Sequence, residues 1–156
     1  MKINMFIDST NIFNAMRQKY NPGAKLDYRA YRDYLKDLGD IQVARVLVSE
    51  LKNEASKFKG SLNQLGYEVI SKAPMVIARD GRGDLIITRG MFNVELVVGT
   101  LTSKPCDLTV IGTSDPQIIP VLAHIAGQVM ILAAGIPDVL RAPGIEVVEI
   151  PESMIH

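Results

Sequence analysis

The sequence predicts a three-layer α/β sandwich, in which a mostly parallel central sheet is flanked by helices. Short apolar runs alternate with segments of helical periodicity along the 156 residues, a pattern typical of a parallel sheet covered by helices. Two of the apolar runs, in MFIDSTNIF and LTVIGTSDPQI, are followed closely by Asp8 and Asp115. The length fits a single domain spanning residues 1–156, and the sequence contains no internal repeat.

The strands are predicted where short runs are rich in Ile, Val and Leu and are bounded by Gly, Pro or charged residues. These runs are Lys2–Ile7, Gln42–Val48, Tyr67–Ser71, Leu108–Ile111, Gln128–Ala133 and Ile145–Glu149, with a short extra strand at Asp84–Thr88. Between the third strand and the extra one, Pro74, Gly81 and Gly83 predict a mobile loop from Ala73 to Gly83.

The helices are predicted from apolar periodicity and from residues typical of helix ends. They are Ser9–Gln18, Tyr28–Leu38, Asn53–Leu65, Met91–Leu101, a helix from Pro116 that ends at Gly127, and a short turn from Pro137. Asp27 is the expected N-cap of the second helix, and Gly66 the expected C-cap of the third. His124 falls among apolar residues at helical spacing and is expected to line the core.

Composition excludes several classes of protein. No stretch approaches the roughly 20 apolar residues of a membrane span, no secretory signal precedes Asp8, and the single cysteine, Cys106, allows neither an internal disulfide nor a multi-cysteine zinc site. We therefore expect a cytoplasmic protein. Of the 17 Lys and Arg residues, only Arg141 follows Pro105, and this asymmetry indicates an anionic partner for the first part of the chain or a solvated helix surface.

Asp8 and Asp115 are the leading candidates for a functional site. Each follows a predicted buried strand, and ligands of open parallel sheets bind outside the carboxyl ends of the strands. Two carboxylates there would form an oxygen-rich site for Mg²⁺ or Mn²⁺, with the oxygens about 4–7 Å apart. Either acid alone could equally be only a helix N-cap.

These segments resemble a known family. FIDSTNIF is similar to the opening Phe-Ile-Asp-x-x-Asn of NYN domains, which belong to the PIN-like nuclease superfamily. VARVLVSE with FKGSLNQLGYEVI resembles the second strand, helix and third strand of that family, and MFNVELVVG resembles its buried helix. LTVIGTSDPQIIPVL is similar to its Ser-Gly-Asp-Ser-Asp-Phe turn. The resemblance runs in order over nearly the whole chain and implies a metal-dependent nuclease that acts on RNA.

The acids of the family carry over only in part. Asp8 and Asp115 match two of them, and Asn11 matches the companion amide. The other acidic positions are occupied by uncharged residues, namely Asn93, Gly99 and Thr113. Glu95 and Asp84 are the acids left as substitutes, and Glu95 is expected to point to a different side of its helix from Asn93.

Two functions therefore stand side by side. The first is a weak Mg²⁺- or Mn²⁺-dependent endoribonuclease, with Asp8 and Asp115 as metal ligands and Asn11 and Asn93 as further catalytic residues. The second is a catalytically degraded domain that binds RNA or a protein partner as a scaffold. The expected substrate contacts are Ser9, Thr113, Ser114, Arg79, Arg82 and Arg89, with Arg17 and Lys19 near them.

Partners other than RNA receive less support from the sequence. No glycine-rich nucleotide motif is present, so a nucleotide cofactor is not expected. A homo-oligomer is left open. Tyr28, Tyr31 and Tyr34 have the spacing of a half-buried helix face, which we favour over a role in stacking on bases.

Overall fold

The computed structural model describes residues 1–50, 55–81, 83–87 and 89–156, and of residues 77–80 and 84–87 the backbone only. Six parallel strands form the central sheet. The predicted α/β class, with a parallel sheet between helices, is confirmed.

The elements follow the sequence pattern closely. The strands are β1 (Lys2–Asp8), β2 (Asp40–Ser49), β3 (Glu68–Lys72), β4 (Met75–Asp80), β5 (Gly83–Ile87), β6 (Leu108–Gly112), β7 (Gln128–Ala133) and β8 (Ile145–Glu149). The α-helices are α1 (Ser9–Lys19), α2 (Tyr28–Lys36), α3 (Ala55–Gln64), α4 (Asn93–Thr102) and α5 (Ile119–Leu122). Short 3₁₀ turns lie at Pro116–Ile118, Asp138–Leu140 and Glu152–Met154. The expected start of the third helix, at Asn53, lies outside the described residues.

The central sheet has the strand order β3-β2-β1-β6-β7-β8. The segment Ala73–Gly83 is not the loop that its Pro and Gly residues predicted, because β4 pairs antiparallel with β5 in a separate two-stranded sheet. The extra strand expected near Asp84 is present as β5. Glycine at position 83, with φ of +120°, adopts a backbone conformation that other residues avoid, and it lies at the hairpin end as β5 begins.

Each face of the central sheet carries its own apolar cluster. One contains Ile12 and Met16 of α1 together with Tyr31 and Leu35 of α2, and the other contains Leu96 of α4. The hydroxyl of Tyr31 is buried and donates a hydrogen bond of 2.9 Å to the Leu132 carbonyl.

Packing rather than stacking on bases accounts for the tyrosines of α2. The Tyr28 ring packs against Phe58 and Tyr67, and Tyr34 packs against the same cluster as Tyr31. The helix-face interpretation is therefore confirmed.

His124 is exposed, contrary to the expectation that it lines the core. Helix α5 already ends at Leu122, so the apolar periodicity of the sequence is not realised as a longer helix. In the described part of the chain, none of the helices has both the length and the apolar character to cross a membrane.

Candidate functional site

Adjacent strands bring the two acids to the same edge of the sheet. Strands β1 and β6 are parallel neighbours, with Ile7 opposite Gly112, so Asp8 ends one strand and Asp115 follows the end of its neighbour. Both side chains are nearly buried, with exposed fractions of 3% and 5%. Each also caps the element that follows it, because Asp8 Oδ1 accepts from the Asn11 N–H at 3.0 Å and Asp115 Oδ1 accepts from the Gln117 N–H at 2.9 Å. Each of the two carboxylates therefore caps the element that follows it and also lies at the same edge of the sheet as the other.

The surroundings of Asp8 destabilise the ionised form of its carboxyl group. Burial raises the pKa of its carboxyl from 3.8 to about 6, against the lowering effect of hydrogen bonds from the Asn11 and Thr10 backbone. The negative charges of Asp115 and Glu95 raise this pKa further. Asp8 therefore lies within electrostatic reach of two other carboxylates.

Asn11 joins the two strand ends. Its side-chain Oδ1 accepts from the Ser114 N–H at 2.9 Å and lies 3.2 Å from Ser114 Oγ, while its backbone N–H serves Asp8. The first turn of α1 is thereby fixed to the loop after β6. Asn11 thereby positions the Asp8 and Asp115 segments relative to each other.

Asn93, at the start of α4, contacts Asp115 directly. Its Nδ2 donates to Asp115 Oδ2 and to Gln117 Oε1, both at 3.2 Å. Its Oδ1 is buried and has no hydrogen-bond partner among the described residues. Gly90 lies against this group with φ of +68°, and a Cβ there would meet Asn93 Nδ2 at 3.1 Å. Gln117 and Gly90 are site residues that the sequence did not single out, because Gln117 follows the residues that match the family turn and Gly90 belongs to no recognisable motif.

Glu95 is closer to the site than the helical geometry of α4 implied. Its Oε1 accepts from Lys72 Nζ at 2.5 Å, and its Oε2 is buried without a partner in the described part of the chain. Its charge reaches Asp8. Helix α4 packs against β1, so a residue on another side of the helix from Asn93 is still near the strand end.

The uncharged residues at the other acidic positions have structural explanations. A Cβ at Gly99 would approach Arg45 Nη1 at 2.9 Å and the Phe6 ring at 3.2 Å, so that position is filled by neighbouring side chains. Thr113 is fully buried, and its Oγ1 accepts from the Asp115 N–H at 3.2 Å. Ser9 Oγ donates to the Leu47 carbonyl at 2.7 Å. Thr113 and Ser9, both expected to contact substrate, are thus bonded within the protein.

A cleft of about 870 Å³ opens at this edge of the sheet. Helix α1 forms one side of it, and the segments before α4 and after β6 form the other. Its lining includes three basic residues, Arg17, Lys19 and Arg89, and the polar residues Asn11, Ser114 and Asp115. Asp8 is not part of the lining. The cleft therefore brings positive charge next to the one acid of the pair that it exposes.

The three arginines proposed for substrate binding are described to different extents. Arg89 is exposed and lines the cleft. Arg79 is on β4, paired with Asp84 in the hairpin, and only its backbone is described. Arg82 lies outside the described residues. Arg17 and Lys19 contribute to the cleft from the last turn of α1.

The oxygen donors suit one hard cation better than two. Asp8, Asp115 and the unpartnered Oδ1 of Asn93 are carboxylate and amide oxygens, which Mg²⁺ and Mn²⁺ accept. Where side chains are described, no three His, Cys, Asp or Glu residues gather closely enough to hold an ion. These oxygens are donors of the type that a single hard divalent ion accepts, and they include two carboxylates.

The mutual influence of the acids is directly testable. We expect Glu95→Gln to lower the pKa of Asp8, and Asp115→Asn to lower it more, because each removes a negative charge and that of Asp115 acts more strongly. Carboxyl ¹³C chemical shifts followed by NMR titration in EDTA measure this pKa. Glu68→Gln is the control, since Glu68 pairs with Arg45. An unchanged pKa in both site variants would contradict this arrangement of charges.

The fold and site define an α/β domain with paired carboxylates at the carboxyl edge of a parallel sheet. The family model described as NYN domain matches residues 2–142, so the chain belongs to the NYN domain family. A crystal structure of a protein of unknown function from Vibrio parahaemolyticus RIMD 2210633 has a similar fold, with a TM-score of 0.79 at 18% identity. The alignment covers 99% of this chain and 96% of that one. No curated protein matches the sequence.

Proposed function

We propose that this NYN domain binds RNA along the cleft beside α1 and cleaves it weakly with the help of one divalent metal ion. The observation that carries the proposal is that Arg17, Arg89 and Lys19 share one cleft with the Asp115 carboxylate. Lys19 also pairs with Glu149 at 3.2 Å. Phosphate oxygens are held by Arg and Lys side chains in most nucleic-acid complexes. A carboxylate in such a cleft would repel the same phosphates unless an ion lay between them.

Different residues of the site have different roles in this proposed function. Arg17, Lys19 and Arg89 hold the backbone of the RNA, and Asn11 fixes the two acidic segments relative to each other. Asp8 and Asp115 hold the ion, with Asn93 Oδ1 as a further oxygen. When bound, such an ion supplies Lewis-acid polarisation of a phosphodiester.

A binding function without cleavage is the second candidate, and the hydrogen bonds of Asp115 favour it. Both carboxylate oxygens already accept from protein donors, one from the Gln117 backbone and one from the Asn93 side chain. An aspartate in place of Asn93 would instead leave that oxygen to a metal. The amide thus stabilises the site without an ion, and the same cleft would then serve RNA binding alone.

RNA binding itself is the first test, since both candidates require it. We expect wild-type protein to bind RNA with an affinity that falls steeply as salt rises, because bound cations displace counterions from the RNA backbone. Joint replacement of Arg17, Lys19 and Arg89 by Ala should weaken binding more than tenfold and reduce the slope of log K against log salt by about 2. Fluorescence anisotropy of a labelled RNA measures both quantities.

The control removes the same amount of charge elsewhere. Arg29, Lys36 and Lys57 are exposed and lie outside the cleft, so their joint replacement by Ala should change binding little. Equal loss of affinity in the two triple variants would show that RNA binding is not localised to the cleft. No binding at low salt by the wild-type protein would overturn both RNA functions.

A further inference from the structure

Glu149, the last residue of β8, binds the loop that follows β7. Its Oε2 accepts from the Gly135 N–H at 2.9 Å, and its Oε1 accepts from the Ile136 N–H at 3.1 Å. Lys19 Nζ, at the end of α1, lies 3.2 Å from the same Oε2. One carboxylate is therefore held by two successive backbone N–H groups and one ammonium group.

The groups that hold this carboxylate also suit a phosphate. Successive backbone N–H groups that point to one anion form an arrangement by which proteins bind phosphates, and an adjacent lysine adds a charge-assisted hydrogen bond. Gly135 has φ of +65°, a left-handed conformation that glycine adopts without strain. The two carboxylate oxygens of Glu149 take separate N–H donors, as two oxygens of a phosphate group would.

These donors are reached from the cleft. Lys19 and Gly135 are part of its lining, whereas Glu149 is not. Strand β7 is the neighbour of β6, so the loop after β7 lies along the same edge of the sheet as Asp115, about 5 Å per strand away. A phosphate backbone laid along this edge would pass Asp115 and reach the Gly135 loop. The Glu149 carboxylate, with 31% of its side chain exposed, already occupies that place.

We propose that Lys19, Gly135 and Ile136 form a phosphate subsite of the RNA cleft, which we call the loop subsite. Glu149 occupies the loop subsite in the free protein as an internal competitor. A phosphate that binds there displaces the Glu149 carboxylate, which is partly exposed and can turn into solvent. Glu149 thus lowers the affinity of the cleft for RNA. This inference rests on the proposed function, because it assumes that the cleft holds RNA.

Glu149→Gln tests the competition, because it removes the charge and keeps the length of the side chain. We expect this variant to bind a labelled RNA oligomer about fivefold more tightly than the wild type at about 0.1 M salt, since the freed Lys19 displaces one more counterion from the RNA. For the same reason the slope of log K against log salt should become steeper by about 0.7. Fluorescence anisotropy measures both quantities.

A carboxylate that only fastens the loop would have the same hydrogen bonds, but its removal would leave RNA binding unchanged or weaken it. Asp138→Asn is the matched control for a general effect of charge. Asp138 follows Gly135 by three residues, pairs with Arg141 at 3.7 Å and lies outside the cleft lining. We expect no comparable gain in affinity from this variant.

Inorganic phosphate tests the loop subsite without RNA. In ¹H–¹⁵N spectra of Glu149→Gln, the amide signals of Gly135 and Ile136 should shift saturably as phosphate is added. The wild-type protein should need more phosphate for the same shifts, because Glu149 must be displaced, so the measurement does not depend on the variant being folded. Adding Lys19→Ala to Glu149→Gln should weaken the binding of phosphate, because it removes the ammonium group of the subsite.

The outcomes separate this inference from the proposed function. If the wild type binds RNA but Glu149→Gln binds it no more tightly than Asp138→Asn does, the loop subsite is refuted and RNA binding stands. If phosphate shifts the two amides but RNA does not, the loop binds free phosphate and has no part in the RNA cleft. If no RNA binds at low salt, the proposed function and the loop subsite are both overturned.

Discussion

Asp8→Asn is expected to abolish the EDTA-sensitive, Mn²⁺-dependent cleavage of single-stranded RNA that we propose for this protein, a loss of at least ~100-fold. Three of the acidic positions expected of the family hold Asn93, Gly99 and Thr113, so Asp8 and Asp115 carry most of the charge that would offset dehydration of the ion. Loss even of residues that only support metal ligands typically reduces metal affinity or activity 10- to 100-fold. Removal of one ligand from so small a set should exceed that.

Asp8→Asn removes the charge of the side chain with little change to the local structure. Asn has the shape of Asp and remains an excellent N-cap, so the hydrogen bond from the Asn11 N–H to position 8 should persist. Mn²⁺ binding followed by electron paramagnetic resonance provides a second measurement that does not depend on cleavage. Cleavage that persists in Asp8→Asn, with unchanged metal affinity, would show that the activity belongs to another site or to a contaminant.

Asp27→Asn is the matched control for both measurements. Asp27 caps α2 through the Ala30 N–H at 3.0 Å, as Asp8 caps α1. It follows a turn rather than a strand of the central sheet, and α2 is not part of the cleft lining. We expect this variant to retain the cleavage and the Mn²⁺ affinity of the wild-type protein.

The fold was predictable from sequence because its signals are local. The strands β7 and β8 have the bounds that their apolar runs predicted, and Asp27 caps α2 as expected. The hairpin β4–β5 was partly missed, because Pro74, Gly81 and Gly83 are equally typical of loops and of hairpin ends. Pairing between two strands outside the main sheet leaves little trace in periodicity.

The site was less predictable, because its contacts join distant parts of the chain. The placement of Asp8 and Asp115 at paired strand ends follows from the parallel-sheet pattern. The bonds from Asn93 to Asp115 and Gln117, and the electrostatic influence of Glu95 on Asp8, depend on how α4 packs on β1. Helical periodicity gives the side of a helix on which a residue lies but not its distance from another element.

The burial of Asp8 also makes the folding stability of the protein depend on pH. With a pKa of about 6 in the folded protein and 3.8 as its usual value, the folded state binds more protons than the unfolded state between these values. Stability therefore falls as pH rises from about 4 to about 6 and is constant above that range, as far as Asp8 is concerned. The ionised carboxylate costs about 3 kcal/mol of folding free energy at pH 7.5.

We accordingly expect Asp8→Asn to stabilise the metal-free protein by about 3 kcal/mol at pH 7.5 and to change its stability little at pH 3.5, where Asp8 is protonated in both states. Urea unfolding in EDTA across this pH range measures the difference. Asp27→Asn makes the same change at an N-cap that is only half-buried and should show no comparable gain. An Asp8→Asn variant that is less stable than wild type at pH 7.5 would contradict the prediction. A carboxylate kept at such a cost in stability is what a functional site requires, since structural capping alone would be served better by Asn.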